Sequence, residues 1–321
     1  MKWLLITTIG KNPGDEWIRL GIQKIIKKVD RNRKYILMDK EIVNIPIEFD
    51  KCIWCGMPVF WSMKKIENCT KFWWKDLMLG WPSKIKNNFM ILGAGSCFTW
   101  GNEVSSVYNK ERLIKSAKDV LERSYYVTAR DKIVSKVTEK LVPTMICPAI
   151  FSVIDDKISH ELKFANLMPY GGHYPSFNTY EAEIWEEKKH DISEILKKNN
   201  FIFVAHSREE YIFAKKLKWK QIIYTKNSYD LLVKYGKCGK YFGNRVHGAI
   251  IARGNNADVW SVGYDSRQEA VRLSGAKVSK PSELILSEIA NWASSNNEIE
   301  EYDLEFNFKK QVEIVKRFMV A

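Results

Sequence analysis

The chain has 321 residues, about twice the usual size of one domain, which predicts two globular units sharing an interface. Hydrophobic residues make up 45% and charged residues 28%, a balance that excludes long disorder, and no apolar run reaches the ~18 residues that a membrane span needs. The 51 Lys+Arg against 38 Asp+Glu leave a net charge of +13, which points to an anionic partner or substrate: nucleic acid, an acidic lipid surface, or a phosphorylated small molecule.

In chain order, Lys2–Thr8 reads as a buried strand; its apolar stretch ends by Lys11 with no small-residue cleavage site behind it, so no signal peptide is expected. Asn12-Pro13-Gly14-Asp15-Glu16 breaks the chain. From Asp15 to Val29, Ile18, Ile22, Ile25 and Val29 fall at i, i+4, i+7 and i+11, with Lys24, Lys27 and Lys28 outward, predicting an amphipathic helix capped by Asp15. Tyr35–Met38 and Lys51–Cys55 are predicted strands, and Phe89–Leu92 a strand feeding the glycine loop Gly93-Ala94-Gly95-Ser96. A helix over Lys110–Glu122, a strand over Tyr125–Thr128 ending in Ala129-Arg130-Asp131, and a helix over Lys132–Leu141 follow.

A polar stretch at Ile154-Asp155-Asp156-Lys157 reads as a linker. Beyond it, strands are predicted at Phe164–Met168, Phe201–Ala205, Gln221–Tyr224, Lys240–Gly243 and Val259–Val262. Helices are predicted at Glu181–Lys197, through Leu217, at Ser228–Tyr235, from Ala249, and at Ser282–Ala293. Phe308, Val312, Val315 and Met319 form the apolar face of a closing helix. Alternating strand, loop and helix predicts an α/β chain of two doubly wound, Rossmann-like domains facing a cleft. The expected division is residues 1–154, residues 155–300, and a C-terminal amphipathic helix over 301–321 that crosses back to the first domain.

Six cysteines (Cys52, Cys55, Cys69, Cys97, Cys147, Cys238) are too few for a disulfide framework, so reduced thiols and a cytoplasmic location are expected. Cys52-Ile53-Trp54-Cys55 has the spacing of half a zinc site, but no second pair accompanies it, and two buried thiols are expected instead. Gly93-Ala94-Gly95 lacks the rest of a dinucleotide loop. The six tryptophans from Trp54 to Trp100, interleaved with Lys64, Lys65, Lys71, Lys75, Lys84 and Lys86, leave three readings open: core packing, stacking on sugar rings, or a peripheral membrane contact.

Ligands of doubly wound sheets bind beyond the carboxyl ends of the strands. The polar residues there are Asn12, Asp15, Ser96, Arg130, Asp131, His173, His206, Arg208, Arg245, His247, Asp265 and Arg267. This lining suits the binding of a phosphate and the transfer of a proton. Its densest part is Gly243-Asn244-Arg245-Val246-His247-Gly248. There Arg245 offers a bidentate grip on an oxyanion, His247 a proton near neutral pH, and Gly248 close backbone approach at a helix start.

Three motifs stand in order: Asn12-Pro13-Gly14-Asp15; Arg130-Asp131 with Ser135 after it; and Arg245-Val246-His247-Gly248 through Ala252. In that order and spacing the chain resembles the polysaccharide pyruvyl transferases, over roughly residues 3–275. The resemblance implies a glycosyltransferase-B-like fold and transfer of a pyruvyl group from phosphoenolpyruvate to sugar hydroxyls as a cyclic ketal. Arg130, Arg208, Arg245 and Arg267 are then expected around the donor's phosphate and carboxylate, near Gly248, with His247 as the general acid. Asp15 would orient or deprotonate an acceptor hydroxyl, and Asn12, Gly14, His173 and His206 would be auxiliary. No metal or cofactor is expected, and no nucleic acid. The partners would be phosphoenolpyruvate and a glycan or lipid-linked saccharide, the latter bringing the protein to the inner face of the membrane. Two departures are visible: Arg267 stands where members carry a Lys, and Cys147 precedes Pro148 where an Asp is common. A sugar transferase using a nucleotide-sugar donor, and a non-catalytic binder of anionic polymers, are the alternatives. Ion pairing of Arg208 with Glu209 or Glu210 is the rival to its binding role.

Overall fold

The computed structural model describes residues 1–10, 12–40, 48–61, 88–97, 121–122, 124–138, 142–153, 161–170, 180–295 and 302–321. The chain divides into two compact units, one of Met1–Lys11, Asp15–Ser152 and Asp303–Ala321, the other of Asn12–Gly14 and Val153–Tyr302. Most of the predicted helix over 110–122, most of the Trp-rich segment, the polar stretch at 154–157 and His173 lie outside the described residues.

The first unit holds strands β1 (Lys2–Thr7), β2 (Lys34–Asp39), β3 (Lys51–Trp61), β4 (Phe89–Cys97) and β5 (Tyr126–Ala129), with helix α1 (Pro13–Val29) from Asp15 onward and helix α2 (Lys132–Val137). The strands are parallel in the order β2-β1-β3-β4-β5, so the winding reverses between β1 and β3. A parallel strand covered on both faces must be apolar along its length. Trp3, Leu4, Leu5 and Ile6 meet that demand, all fully buried. Helix α1 brings Trp17, Ile18, Ile22, Ile25 and Ile26 into the same core, each such burial stabilising by roughly 1.5–3 kcal/mol. At Gly21 the helix comes so close that an added Cβ would lie 1.9 Å from the Pro148 carbonyl oxygen.

Helix α1 begins two residues before the predicted start. Asn12 Oδ1 accepts a hydrogen bond from the Gly14 N–H (3.1 Å) and Pro13 opens the helix, so Asn12 rather than Asp15 caps it. Strand β4 runs through Cys97 with all nine residues buried. The predicted glycine loop is therefore strand, and its glycines answer to packing. A Cβ on Gly93 (φ +82°) would lie 2.7 Å from Pro148 Cδ, and one on Gly95 2.5 Å from Arg130 Nε. Helix α2 ends at Val137, short of the predicted Leu141.

The second unit holds β6 (Leu162–Asn166), α3 (Tyr180–Lys198), β7 (Ile202–Ala205), α4 (Arg208–Lys216), β8 (Ile222–Tyr224), α5 (Ser228–Tyr235), β9 (Cys238–Gly243), α6 (Val246–Gly254), β10 (Asp258–Val262), α7 (Glu269–Arg272), β11 (Lys277–Ser279) and α8 (Leu286–Ser294). Its parallel sheet has the order β11-β10-β9-β6-β7-β8, the doubly wound Rossmann order, with the reversal between β6 and β9. Its core is aromatic: Trp185, Phe203, Phe242 and Trp260 are buried, and Trp260 meets Trp292 edge-on at 5.7 Å. Three predictions shift here. Strand β6 ends at Asn166 rather than Met168. Strand β11 was not predicted. The helix predicted from Ser282 begins at Leu286, because Pro281–Glu283 forms a 3-10 turn and Leu284 and Ile285 are extended.

The C-terminal helix α9 (Leu304–Val320) belongs to the first unit. Gln311, Val315 and Phe318 are buried, with Phe308 and Val312 partly so. Phe318 lies 5.3 Å from the Tyr125 ring and 6.2 Å from Trp3, and Gln311 Nε2 donates to the Ile146 carbonyl at 2.8 Å. Among the described residues no helix is long and apolar enough to cross a membrane. Truncating Phe318 leaves a cavity beneath α9, so Phe318→Ala is expected to destabilise the first unit by about 3–5 kcal/mol, read as a lower urea midpoint.

Candidate functional site

The reversal of strand order in the second unit opens the carboxyl ends of β6 and β9 to a ligand. Asn166, the last residue of β6, pairs in register with Gly243, and its carbonyl accepts the Asn244 N–H at 3.0 Å. Asn244 ties three strand ends together: its Oδ1 accepts from Met168 N (3.0 Å) and its Nδ2 donates to the Val262 carbonyl (3.1 Å). The chain then turns at once into α6. Arg245 occupies the N-cap position with extended backbone (φ −79°, ψ 112°), and His247 is the second helical residue. Arg245, Val246 and His247 are half-buried while Gly248–Gly254 are buried, so the sequence surfaces at the strand end. A helix start of this kind presents unpaired N–H groups and the positive end of the helix dipole.

Beneath Arg245 lies Glu210, a carboxylate that sequence reasoning missed. It is 1% exposed. Its Oε1 takes Arg245 through both Nε and one terminal nitrogen. Its Oε2 accepts from the His206 backbone N–H at 2.7 Å and from Asn166 Nδ2 at 2.8 Å. Burial by itself raises the carboxyl's pKa, but Arg245, His206 and these donors outweigh it and hold Glu210 below its ordinary value. The rival reading of Arg208 paired with its own glutamates is thus corrected for Glu210, which pairs with Arg245. Arg208 itself is exposed at the first position of α4.

His206 is buried, with Nε2 2.7 Å from the Tyr235 hydroxyl. Burial lowers its pKa to about 4, opposed by a smaller upward pull from Glu210 and aided by Arg245. An imidazole kept neutral in this way belongs to the floor of the site. Tyr235 packs against it and Tyr241 against Tyr235, and burial raises both phenols well above their ordinary range. A Cβ on Gly248 would lie 2.7 Å from each of these two hydroxyls, so the glycine of the motif lets α6 settle onto the tyrosine pair.

Arg267, expected at the donor phosphate, is gripped by Asp265 two residues earlier, with Nε 2.8 Å from Oδ1 and a terminal nitrogen 2.5 Å from Oδ2. Asn12–Gly14 group with the second unit, where a Cβ on Gly14 would lie 2.1 Å from His247 Nδ1.

In the first unit Arg130 is 2% exposed at the end of β5. Asp131 caps α2: its Oδ1 accepts from Val134 N (3.0 Å) and its Oδ2 from Ser96 N (2.7 Å). Burial pushes the Cys147 thiol up, Arg130 pulls it down and the buried Asp15 carboxylate pushes it up, which brings these three groups to one neighbourhood. Cys52 and Cys55 are buried with thiols raised by desolvation, and the described residues contain no His/Cys/Asp/Glu group able to hold a metal.

Two outcomes follow from this packing. His206 favours its neutral form in the folded protein, so the stability it contributes is complete above pH 6.5 and is lost as pH falls towards 4. Urea midpoints measured across that window should fall by an amount that His206→Asn removes. Gly248→Ala must displace the tyrosine hydroxyls and is expected to cost roughly 1–3 kcal/mol by the same measurement.

Solved structures of the same fold include UDP-GlcNAc 2-epimerase from Methanocaldococcus jannaschii, which is 10% identical with a TM-score of 0.54 and 100% of both chains covered. A putative UDP-N-acetylglucosamine 2-epimerase from Listeria monocytogenes is 13% identical with a TM-score of 0.53, covering 100% of this chain and 97% of that one. The UDP-GlcNAc 2-epimerase from Neisseria meningitidis, bound to UDP-GlcNAc, is 12% identical with a TM-score of 0.52, covering 99% and 100%. These likenesses establish the glycosyltransferase-B-like fold of two Rossmann-like domains. A search of curated proteins finds no match. Residues 12–266 match the family model for polysaccharide pyruvyl transferase. With its motif residues carried on strand ends and helix starts, and with that match over most of its length, the chain belongs to the polysaccharide pyruvyl transferase family and is a transferase.

Proposed function

We propose that the protein transfers the pyruvyl group of phosphoenolpyruvate to two hydroxyls of a sugar, in a glycan or a lipid-linked precursor, giving a cyclic ketal and inorganic phosphate. The observation that carries this reading is the placement of Arg245 and His247, two residues apart, at the start of α6 beyond the β6–β9 reversal. Phosphoenolpyruvate bears a phosphate and a carboxylate, and a guanidinium beside a helix start suits such an anion.

In this reaction His247 gives a proton to the methylene carbon of the donor, turning it into a methyl group and leaving an oxocarbenium-like carbon. A sugar hydroxyl attacks that carbon and loses its proton. Phosphate departs with the C–O bond pair, and a second hydroxyl closes the ketal. One hydroxyl proton restores His247 and the other leaves on the phosphate, so the cycle balances without an oxidant or reductant. Arg245 offsets charge on the departing phosphate. On the family motifs alone, Arg130 is proposed for the donor carboxylate and Asp15 for an acceptor hydroxyl. Arg208 and Arg267 are weaker candidates, since the first is solvent-exposed and the second is held by Asp265. Asn12 and Gly14 shape the start of α1, and His206 serves in the floor of the site rather than as a proton donor. A lipid-linked acceptor would bring the enzyme to the inner face of the membrane by peripheral contact.

Phosphoenolpyruvate is expected to raise the melting temperature and UDP-GlcNAc to leave it unchanged; the reverse pattern would sink the pyruvyl assignment. With phosphoenolpyruvate and a panel of sugar acceptors, mass spectrometry should find the ketal product. His247→Ala should lower its formation by about 10²–10⁴-fold while keeping the donor-induced shift. An undiminished His247→Ala enzyme excludes the proton-donor role.

A further inference from the structure

Glu210 sits where three segments end. It is carried on the first turn of α4, and its carboxylate takes the backbone N–H of His206 just after β7 (2.7 Å) and the side-chain amide of Asn166 at the end of β6 (2.8 Å). Asn166 is itself fixed, since Nδ2 also donates to the Val204 carbonyl at 2.8 Å. A carboxylate held from two sides in this way has one oxygen left in a set direction, and that oxygen takes Arg245. The side chains differ in exposure, 27% for Arg245 against 1% for Glu210. The pair is therefore anchored from below and open above. Because Glu210 grips the Nε side of the guanidinium, the far edge keeps its donors for a second oxyanion, in the plane that Glu210 sets.

We infer that Glu210 is a positioning residue, which fixes the Arg245 guanidinium so that its outer edge is presented at the start of α6 beside His247. An arginine on a flexible stem loses rotamer freedom when it binds an anion, and a guanidinium already held has lost it in advance. Glu210 also neutralises part of Arg245's charge, so it supplies orientation at the expense of raw attraction, and its removal should act more on turnover than on donor affinity. The service to turnover rests on the pyruvyl-transfer reading; the holding of Arg245 does not.

The test uses the full chain labelled with ¹⁵N-arginine, the Arg245 signal being assigned by its loss in Arg245→Lys. Wild type should show a slowly exchanging Arg245 Nε–H, and Glu210→Gln should speed that exchange at least tenfold. Glu210→Asp, one methylene shorter, should not restore protection. Exchange in Glu210→Gln within twofold of wild type would overturn the inference. If Glu210→Gln fails to fold, ¹³C-carboxyl titration of Arg245→Ala replaces it: the Glu210 pKa should rise by at least one unit, and an unchanged value refutes the pairing. With phosphoenolpyruvate and an acceptor, Glu210→Gln should lower kcat at least tenfold per folded molecule with donor KM within threefold. Unaltered kcat would remove the link to turnover. A wild-type protein inert towards phosphoenolpyruvate counts against the proposed reaction and leaves the exchange measurement to decide Glu210.

Discussion

A carboxylate taken out of water must be compensated on every side, and Glu210 imposes that constraint on the second unit. Desolvating such a charge costs several kcal/mol, and leaving it unpaired costs about 3–5 kcal/mol when one partner is removed. Its compensation comes from groups on three different segments: the Asn166 amide, the His206 N–H and the Arg245 guanidinium. Meeting the electrostatic demand therefore fixes the relative placement of the ends of β6 and β7 and of the loop after β9. Burial favours the neutral form of His206 and keeps Tyr235 protonated, even though Glu210 draws the imidazole towards its charged form.

The two sheets solve a common problem differently. In the second unit the reversal between β6 and β9 is lined by a polar network. In the first, Arg130 is buried against glycine backbone at Gly95, and Asp131 spends its oxygens on the Ser96 and Val134 amides. The net charge of +13 has little to do with either. Arg245 and Arg267 are both matched by carboxylates, while Lys27, Lys28 and Lys198 stand exposed on helices. With both arginines matched, the charge around Arg245 and Arg267 is closer to neutral than the composition implies.

Buried parallel strands were readable because an unbroken apolar run of four or five residues suits a strand covered on both faces, as at Trp3–Ile6 and Phe201–Ala205. The motif around Arg245 was readable because its residue types carry chemistry at close spacing. Gly93-Ala94-Gly95 misled, since glycines that make room for Pro148 and Arg130 look the same in sequence as glycines that turn a loop. Glu210 was hidden in the charged run Arg208-Glu209-Glu210. Its helical phase held the signal: Glu210, Ala214 and Leu217 fall at i, i+4 and i+7 and all three are buried, whereas Glu209 is exposed. Asn166 and Tyr235 carry no such signal, because only tertiary pairing brings them to the carboxylate. Gln311 interrupts the apolar face of α9, and its burial depends on a carbonyl 165 positions earlier.

The placement of α9 has a consequence for the order in which the molecule is made. Residues Asp303–Ala321 belong to the unit that Met1–Ser152 begins, and the second unit is encoded between them. The first unit therefore keeps open the apolar surface that Val315 and Phe318 cover until residues far from its beginning have been made. The unit begun first is thus the one that cannot be finished until α9 has been made.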